Sequence, residues 1–407
     1  MSYTMRNNTA IFYHYYYTFL LAFSFLLVTY RSPLLQGGFI LLFVLFGLLS
    51  VWAKKGLVIS SHFIFACLFV GAMTFLTEVI SNFDRNYYFM LQELKFLPLF
   101  LLPKFFEALL NRSVLTPWQR KEIIVMSCQF FILLVLFINI IYGPVLGAFR
   151  NTGPFEYSIS LSYTLVFLFI ILFNEFSFFW KILIIINVFL LGSTMGFALL
   201  GLAWLLKVRR LFLVKARLSI FSKFFFAIPV LLIAVWYVTV FRERAVFGES
   251  FWGLDRVQLV QAAIDYAISY FTLADYLFGF GIGRLLDGFE LITSDDYPVV
   301  YHWIIKDFTG SGEVLYSFIF HNEYIRLFFN FGIFAPFIIF GLVYKMINNK
   351  ILFLIILLSS LTNSTVYSYI TLFVIALAAY VSQLDKTLAG SYPQSVPRPS
   401  SQQPLFV

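Results

Sequence analysis

The sequence predicts an all-α polytopic integral membrane protein, with about twelve transmembrane helices and one large outer loop at about 241–320. Three observations predict it. Of 407 residues, 61% are hydrophobic and only 12% charged, with a mean hydropathy of +0.89. Soluble domains run at about 45–50% apolar and about 25% charged. Long uncharged runs recur along the chain, and crossing about 30 Å of hydrocarbon at 1.5 Å per residue takes about 20 apolar residues. Lys and Arg then collect in alternate connections, as short cytoplasmic loops require.

The runs place spans at approximately 11–30, 34–53, 60–80, 87–103, 122–142, 157–174, 179–192, 194–207, 222–240, 325–344, 351–364 and 367–383. The first begins near Ile11, after a lead containing Arg6, and is read as retained. With the N-terminus inside, inner loops hold Lys54 and Lys55, then Lys104, Arg112, Arg120 and Lys121. The densest cluster follows: Lys207, Arg209, Arg210, Lys215, Arg217 and Lys223. Lys345, Lys350, Lys386 and Arg398 complete the inner side, whereas outer turns hold few cations, such as Arg31 and Arg85. This bias requires residues 181–207 to form two helices broken at Gly192-Ser193-Thr194, because a single span would invert one side. The resulting organisation is an N-terminal membrane bundle (1–240, about nine spans), the outer loop (241–320), C-terminal spans (321–383) and a Pro-, Ser- and Gln-rich tail (384–407) read as disordered and cytoplasmic.

Other classes are excluded by what the chain lacks. Cys67 and Cys128 both sit in apolar runs and read as buried small hydrophobes. There is no zinc spacing, no coiled-coil heptad and no GxGxxG or GxxxxGK[ST] nucleotide loop. The net charge of +8 belongs to the loops of a membrane protein and does not call for nucleic acid. No cofactor or metal is expected; Asp295-Asp296 reads as a solvated turn beside Pro298.

Chemistry concentrates in two outer loops. The long one holds eleven acids against five cations, yet three arginines, Arg242, Arg244 and Arg256, fall in its first part. The shorter, Tyr142 to Glu156, is rich in Gly and Pro and has Arg150 as its single cation. Guanidinium forks suit phosphate oxygens, so arginines from both loops can converge on one diphosphate. Each can equally pair with a nearby carboxylate, Arg242 with Glu243 or Glu249 and Arg150 with Glu156. At the end of the long loop, Phe320-His321-Asn322-Glu323-Tyr324-Ile325 opens a span that turns apolar after Gly332. His321, Tyr324 and Phe328 share one helical face, with Glu323 on another side. A histidine at a membrane mouth is a proton acceptor or hydrogen-bond donor near pH 7, and it also reads as part of a helix cap. The apolar residues between Phe251 and Phe278 predict a helix lying on the outer membrane surface.

His321-Asn322-Glu323-Tyr324-Ile325 followed by Gly332 resembles the His-Asn-x-Tyr-Leu signature and later glycine of the O-antigen polymerase and O-antigen ligase superfamily of bacterial polysaccharide assembly. Asn330 stands where that family usually has an acid. Leu277-Phe278-Gly279-Phe280-Gly281-Ile282-Gly283 is similar to the family's glycine-rich stretch, and Arg150-Asn151-Thr152-Gly153-Pro154-Phe155-Glu156 to its smaller-loop arginine element. Gly192-Ser193-Thr194-Met195-Gly196 resembles a further element in which Gly196 replaces an arginine. Arg242 and Gly253 match the spacing of a polymerase loop. The resemblance extends from about residue 60 to 383.

The resemblance implies a polymerase that joins undecaprenyl-diphosphate-linked repeat units of O-antigen or a related surface polysaccharide, in lipopolysaccharide biosynthesis at the outer face of the bacterial inner membrane. It implies no nucleotide sugar and no metal. Carried over, Arg150, Arg242, Arg244 and Arg256 bind the diphosphate and His321 acts on the acceptor. Glu323 or Glu156 is the alternative base, and Tyr324 stacks on sugar. Implied partners are the lipid-linked glycans, membrane lipids, and a chain-length regulator and flippase of the same pathway. Two alternatives stay open: a ligase transferring the glycan to lipid A–core, and a flippase for the same lipid-linked sugars. Flippases need ionisable groups along an internal path, whereas polar groups here gather in the outer loops.

Overall fold

The computed structural model describes residues 3–30, 60–80, 94–110, 115–142, 158–214, 252–281, 297, 322–361 and 368–391. Among these the architecture is helical: α1 (Tyr3–Thr29), α2 (Ser61–Ile80), a 3-10 helix (Leu94–Phe100), α3 (Leu102–Leu110), α4 (Pro117–Ile140), α5 (Ser158–Ile171), α6 (Phe178–Leu190), α7 (Thr194–Val214), α8 (Trp252–Tyr270), α9 (Leu273–Phe278), α10 (Glu323–Phe331), α11 (Ala335–Ile347), α12 (Lys350–Ser360) and α13 (Tyr369–Ser391).

Two helices form the centre. Residues 160–170 of α5 and 370–381 of α13 are buried without interruption. A helix that is apolar all round is buried either in a protein core or in a membrane, and these two are surrounded by other helices. α13 packs against α1, α3, α4, α5 and α11, and α5 against α6, α7 and α12. The outer helices are one-sided instead. In α1, Tyr17, Leu21, Phe25 and Val28 are buried at helical spacing, while Phe12, Phe19 and Phe23 face outward. Phe25 joins three helices, its ring centroid 4.9 Å from Phe131 of α4 and 5.0 Å from Phe373 of α13. α4 starts where the local sequence dictates. Thr116 accepts from the Gln119 amide, Gln119 accepts from the Thr116 amide, and Pro117 occupies the first turn.

The twelve-span reading is corrected by this structure. Three helical stretches are long and apolar enough to cross a membrane among the described residues, Phe12–Thr29, Pro117–Ile140 and Ile370–Leu388, or four if α10 and α11 count as one span. Five more helices have apolar stretches of 11 to 17 residues, roughly 16–26 Å and short of about 30 Å of hydrocarbon, although α2 and α7 as whole helices run 20 and 21 residues. The run at 325–344 is two helices bent by 118°. That at 87–103 has a 3-10 helix carrying Pro98 and then the nine-residue α3 in its described part. Hydropathy counts apolar residues and is blind to where the helix ladder breaks. The spans expected at 34–53 and 222–240 lie outside the described residues. A few apolar, partly buried helices with outward Phe12, Phe19, Phe75, Phe137 and Phe337 are consistent with membrane association.

Other expectations meet the structure directly. The break at Gly192-Ser193-Thr194 separates α6 from α7, with Gly192 at φ 63°. Helix is present within 251–278, as α8 followed by α9. Cys67 and Cys128 are free thiols, Cys128 fully buried.

Candidate functional site

Two stretches far apart in sequence, 276–281 and 322–333, meet in space. α9 and α10 each end at a glycine with nearly the same backbone: Gly279 at φ 79°, ψ 177° and Gly332 at φ 82°, ψ 178°. Each glycine amide closes its own helix, Gly279 donating to Asp275 O at 2.8 Å and Gly332 to Phe328 O at 2.7 Å. The chains then pair main chain to main chain. Phe280 N donates to Phe329 O at 2.6 Å, Gly281 N to Asn330 O at 3.1 Å, and Ile333 N to Tyr276 O at 3.0 Å.

Only glycine fits at either position. This φ/ψ region is essentially closed to residues with a Cβ. A Cβ on Gly279 would stand 2.5 Å from Asn330 C and Phe331 N, and one on Gly332 2.0 Å from Leu277 O. The glycine-rich stretch is therefore a seat for another backbone. Aromatic rings seal it: Phe271 lies 4.3 Å from Phe280 and 4.9 Å from Phe329, and the Tyr276 hydroxyl donates to Ala267 O at 3.0 Å.

α10 starts from Asn322. Its Oδ1 accepts from the amides of Tyr324 (3.0 Å) and Ile325 (3.3 Å), while its Nδ2 donates to Leu361 O at 3.1 Å. One residue thus caps α10 and ties it to the chain leaving α12. The Tyr324 hydroxyl donates to Leu357 O at 3.1 Å, and its ring lies 4.9 Å from Phe340. Both parts of the side chain hold α10 against α11 and α12. Glu323, Arg326 and Asn330 fall on one face of α10 and are buried, with Glu323 and Asn330 fully so. Sequence reasoning put polar groups at a span entrance; the structure takes this face into the protein. Their spacing of three and four was the available signal.

The other sequence-predicted site residues are not brought into this junction by anything described. Arg150, Glu156, Arg242, Arg244 and His321 lie outside the described residues, and Arg256 is placed only as a backbone position in α8. Gly196 marks a close crossing of α7 over α5: a Cβ there would lie 2.6 Å from Ser162 Cβ. Its amide donates to Ser193 Oγ at 3.1 Å, so the stretch caps α7 and leaves no room for the arginine of the element it resembles. Among the described residues, no group of three or more His, Cys, Asp and Glu is arranged to hold a metal ion.

Charge gathers elsewhere. Lys121 on α4, its side chain 12% exposed, reaches Glu175 Oε1 at 2.6 Å in the turn after α5 and Asp385 Oδ1 at 2.9 Å on α13. Between α4 and α6, Asn139 Nδ2 donates to Asn187 Oδ1 at 3.0 Å, and Asn187 Nδ2 donates to Leu183 O and Ile132 O. No sequence signal links these partners.

Among the described residues, the fold and junction define a helical, largely apolar chain with a buried polar face on a bent helix pair. It matches no protein-family model and none of the curated proteins.

Proposed function

We propose that this chain is a glycosyltransferase of the bacterial plasma (inner) membrane, multi-pass with both termini cytoplasmic. It polymerises undecaprenyl-diphosphate-linked oligosaccharide repeat units of O-antigen or a related surface polysaccharide on the outer face. One observation carries the reading. The stretches 277–281 and 322–332, which resemble two separate elements of one family, are joined by two main-chain hydrogen bonds, from Phe280 and Gly281, and a third from Ile333 to Tyr276 lies just outside them. The fully buried Glu323, at the opposite end of α10 from this junction, supports it, because an ionisable group buried in an apolar chain is costly and marks function by default.

In this reading a sugar hydroxyl of the next repeat unit attacks the anomeric carbon of the growing chain. The new glycosidic bond forms as the bond from that carbon to the diphosphate oxygen breaks. Undecaprenyl diphosphate leaves with the electron pair, and the hydroxyl proton passes to His321, with Glu323 or Glu156 as the alternative base. Arg150, Arg242, Arg244 and Arg256 neutralise the charge developing on the diphosphate. Asn322 and Tyr324 anchor the start of α10, which follows His321 in sequence.

Purified protein given lipid-linked repeats alone releases undecaprenyl diphosphate as chains lengthen. Replacing Arg150 and Arg256 together by Ala abolishes this, with insertion into the membrane checked separately. A gene deletion that leaves single repeats on lipid A–core supports polymerisation. Full-length chains held on undecaprenyl diphosphate point to ligation. Unflipped repeats accumulating on the cytoplasmic face, with normal elongation of externally supplied substrate, overturn the enzyme reading in favour of a flippase.

A further inference from the structure

Ile333, Phe334 and Phe337 stand exposed where the chain turns by 118° from α10 into α11, Phe337 at 77%. Phe334 and Phe337, three residues apart, share one face of the first turn of α11. The main-chain bond from Ile333 N to Tyr276 O, at 3.0 Å, brings α9 alongside. Its Leu273 and Leu277, four residues apart, are exposed as well. Large apolar side chains from two regions distant in sequence thus gather at one corner.

The far end of α11 has the opposite character. Tyr344 and Lys345 are exposed there, and so is Lys350 past the left-handed Asn348. A tyrosine beside lysines at a helix end is the pattern of a membrane–water boundary. From Leu327 to Tyr344 the sequence holds no charged residue. At 1.5 Å per residue, Ile333 lies about 18 Å along the chain from Lys345. An upright α11 therefore puts the corner about 18 Å from that boundary and a tilted one nearer to it, within about 30 Å of hydrocarbon either way.

The junction has what such a depth requires. Backbone donors leaving a helix in hydrocarbon find no water and have to be satisfied within the protein. At this break the amides of Gly279, Phe280, Gly281, Gly332 and Ile333 all donate to main-chain carbonyls. Polar side chains of a helix in hydrocarbon have to face protein. Asn330, in the last turn of α10, is fully buried, and Arg326 and Glu323 are buried further along it. The capping box of Thr272 and Asp275 at the start of α9 marks where the chain returns toward the headgroups.

We propose that this corner, made of Leu277, Ile333, Phe334 and Phe337 with Leu273 at its edge, is a lipid-contacting surface immersed in the acyl-chain layer. The break between α10 and α11 then lies inside the membrane, and the occupant of the surface is the hydrocarbon of the bilayer phospholipids. Its depth is independent of the glycosyl-transfer reading.

The test uses the full chain in phosphatidylcholine nanodiscs, with Cys67 and Cys128 replaced by Ala. One nitroxide label at a time is attached through Phe334→Cys, Phe337→Cys, Gly341→Cys, Lys345→Cys or Lys350→Cys. Gly341 accepts a side chain, since a Cβ there meets nothing within 4 Å. Collisions with oxygen, which partitions into acyl chains, are compared with collisions with a water-soluble nickel chelate. Oxygen dominates at positions 334 and 337, its excess falls at 341, and the chelate dominates at 345 and 350. Helix content and melting that match the unlabelled protein establish that each variant is folded. A chelate that reaches 334 and 337 as freely as 350 overturns the proposal, because the corner then lies in water. Protection of both positions from oxygen and chelate alike overturns it too, because protein then covers the corner. In that case dipolar broadening between labels identifies the cover as a second copy, and its absence as another segment of this chain.

Discussion

Lys121 draws three parts of the chain together through charge, whereas Gly279 and Gly332 draw two together through main chain. The first contact reaches across 2.6 and 2.9 Å ion pairs whose carboxylate side chains are 31% and 52% exposed. The second is a set of amide–carbonyl bonds between residues where no side chain fits. A charged contact held partly in water is screened and adjustable, and its loss costs a fraction of its Coulomb energy. A main-chain contact has no such tolerance, because the groups that would have to move are the helices themselves. The lesson is that a residue's leverage on this fold follows how little its surroundings can yield, rather than how strong its formal interaction is.

That contrast is broken most directly at Gly332. Gly332→Ala places a Cβ 2.0 Å from Leu277 O in a backbone conformation closed to alanine. Adding strain and overpacking, the expected loss is at least about 3 kcal/mol. Hydrogen exchange over 273–281 and 323–333 should rise together; a variant that melts like the unmodified protein in detergent would show that the junction is not what holds these helices.

Lys121→Met comes next. It removes the shared cation and leaves Glu175 and Asp385 repelling each other. Discounted for exposure, the expected cost is about 1–2 kcal/mol. A cycle with Glu175→Gln should recover part of it, and added salt should shrink the difference; a cost insensitive to both would place the effect in packing of the lysine stem.

Tyr324→Phe keeps the ring against Phe340 and loses only the bond to Leu357 O. About 1 kcal/mol is expected, with faster exchange at the start of α10. A larger loss would mean that the hydroxyl, and not the glycine seat, fixes α10. The smallest effect belongs to Lys104→Gln. Its partner Glu107 is 2.6 Å away, but the two side chains are 36% and 38% exposed. A change within about 0.5 kcal/mol is expected in melting experiments, and a cost matching that of Lys121→Met would erase the distinction drawn here.

The break between α6 and α7 was readable because Gly192 supplies a positive φ and Ser193 a cap, both local properties. The bend after α10 had local signals too, Gly332 at φ 82° and Pro336 in the first turn of α11, but Ile333 and Phe334 are as apolar as the helices they separate, so a hydropathy count passes over it. What the sequence did not show is the partner from another region, Tyr276 O, which accepts from Ile333 N. Lys121 read as a loop cation, since nothing near it in sequence identifies Glu175 or Asp385. At the candidate site, the two glycine-bearing stretches were recognised by resemblance, while their meeting, and the burial of Glu323, depend on tertiary packing. The roles assigned to Arg150, Glu156, Arg242, Arg244 and His321 lie outside the described residues, and that of Arg256 rests on a backbone position alone.

The glycine junction also sets how this sequence can drift. An overpacked side chain is usually relieved by trimming its neighbour. Here the atoms that a Cβ at Gly332 would meet are Leu277 O, Leu277 C and Phe278 N, and those facing Gly279 are Asn330 C, Phe331 N and Gly332 N. Every amino acid at those neighbouring positions carries the same atoms, so no second substitution can compensate the first. Leu277, Phe278 and Phe331 are free to exchange among apolar residues as far as the junction is concerned. Gly279 and Gly332 are not, and descendants of this chain that keep the junction must keep both glycines, each irreplaceable on its own.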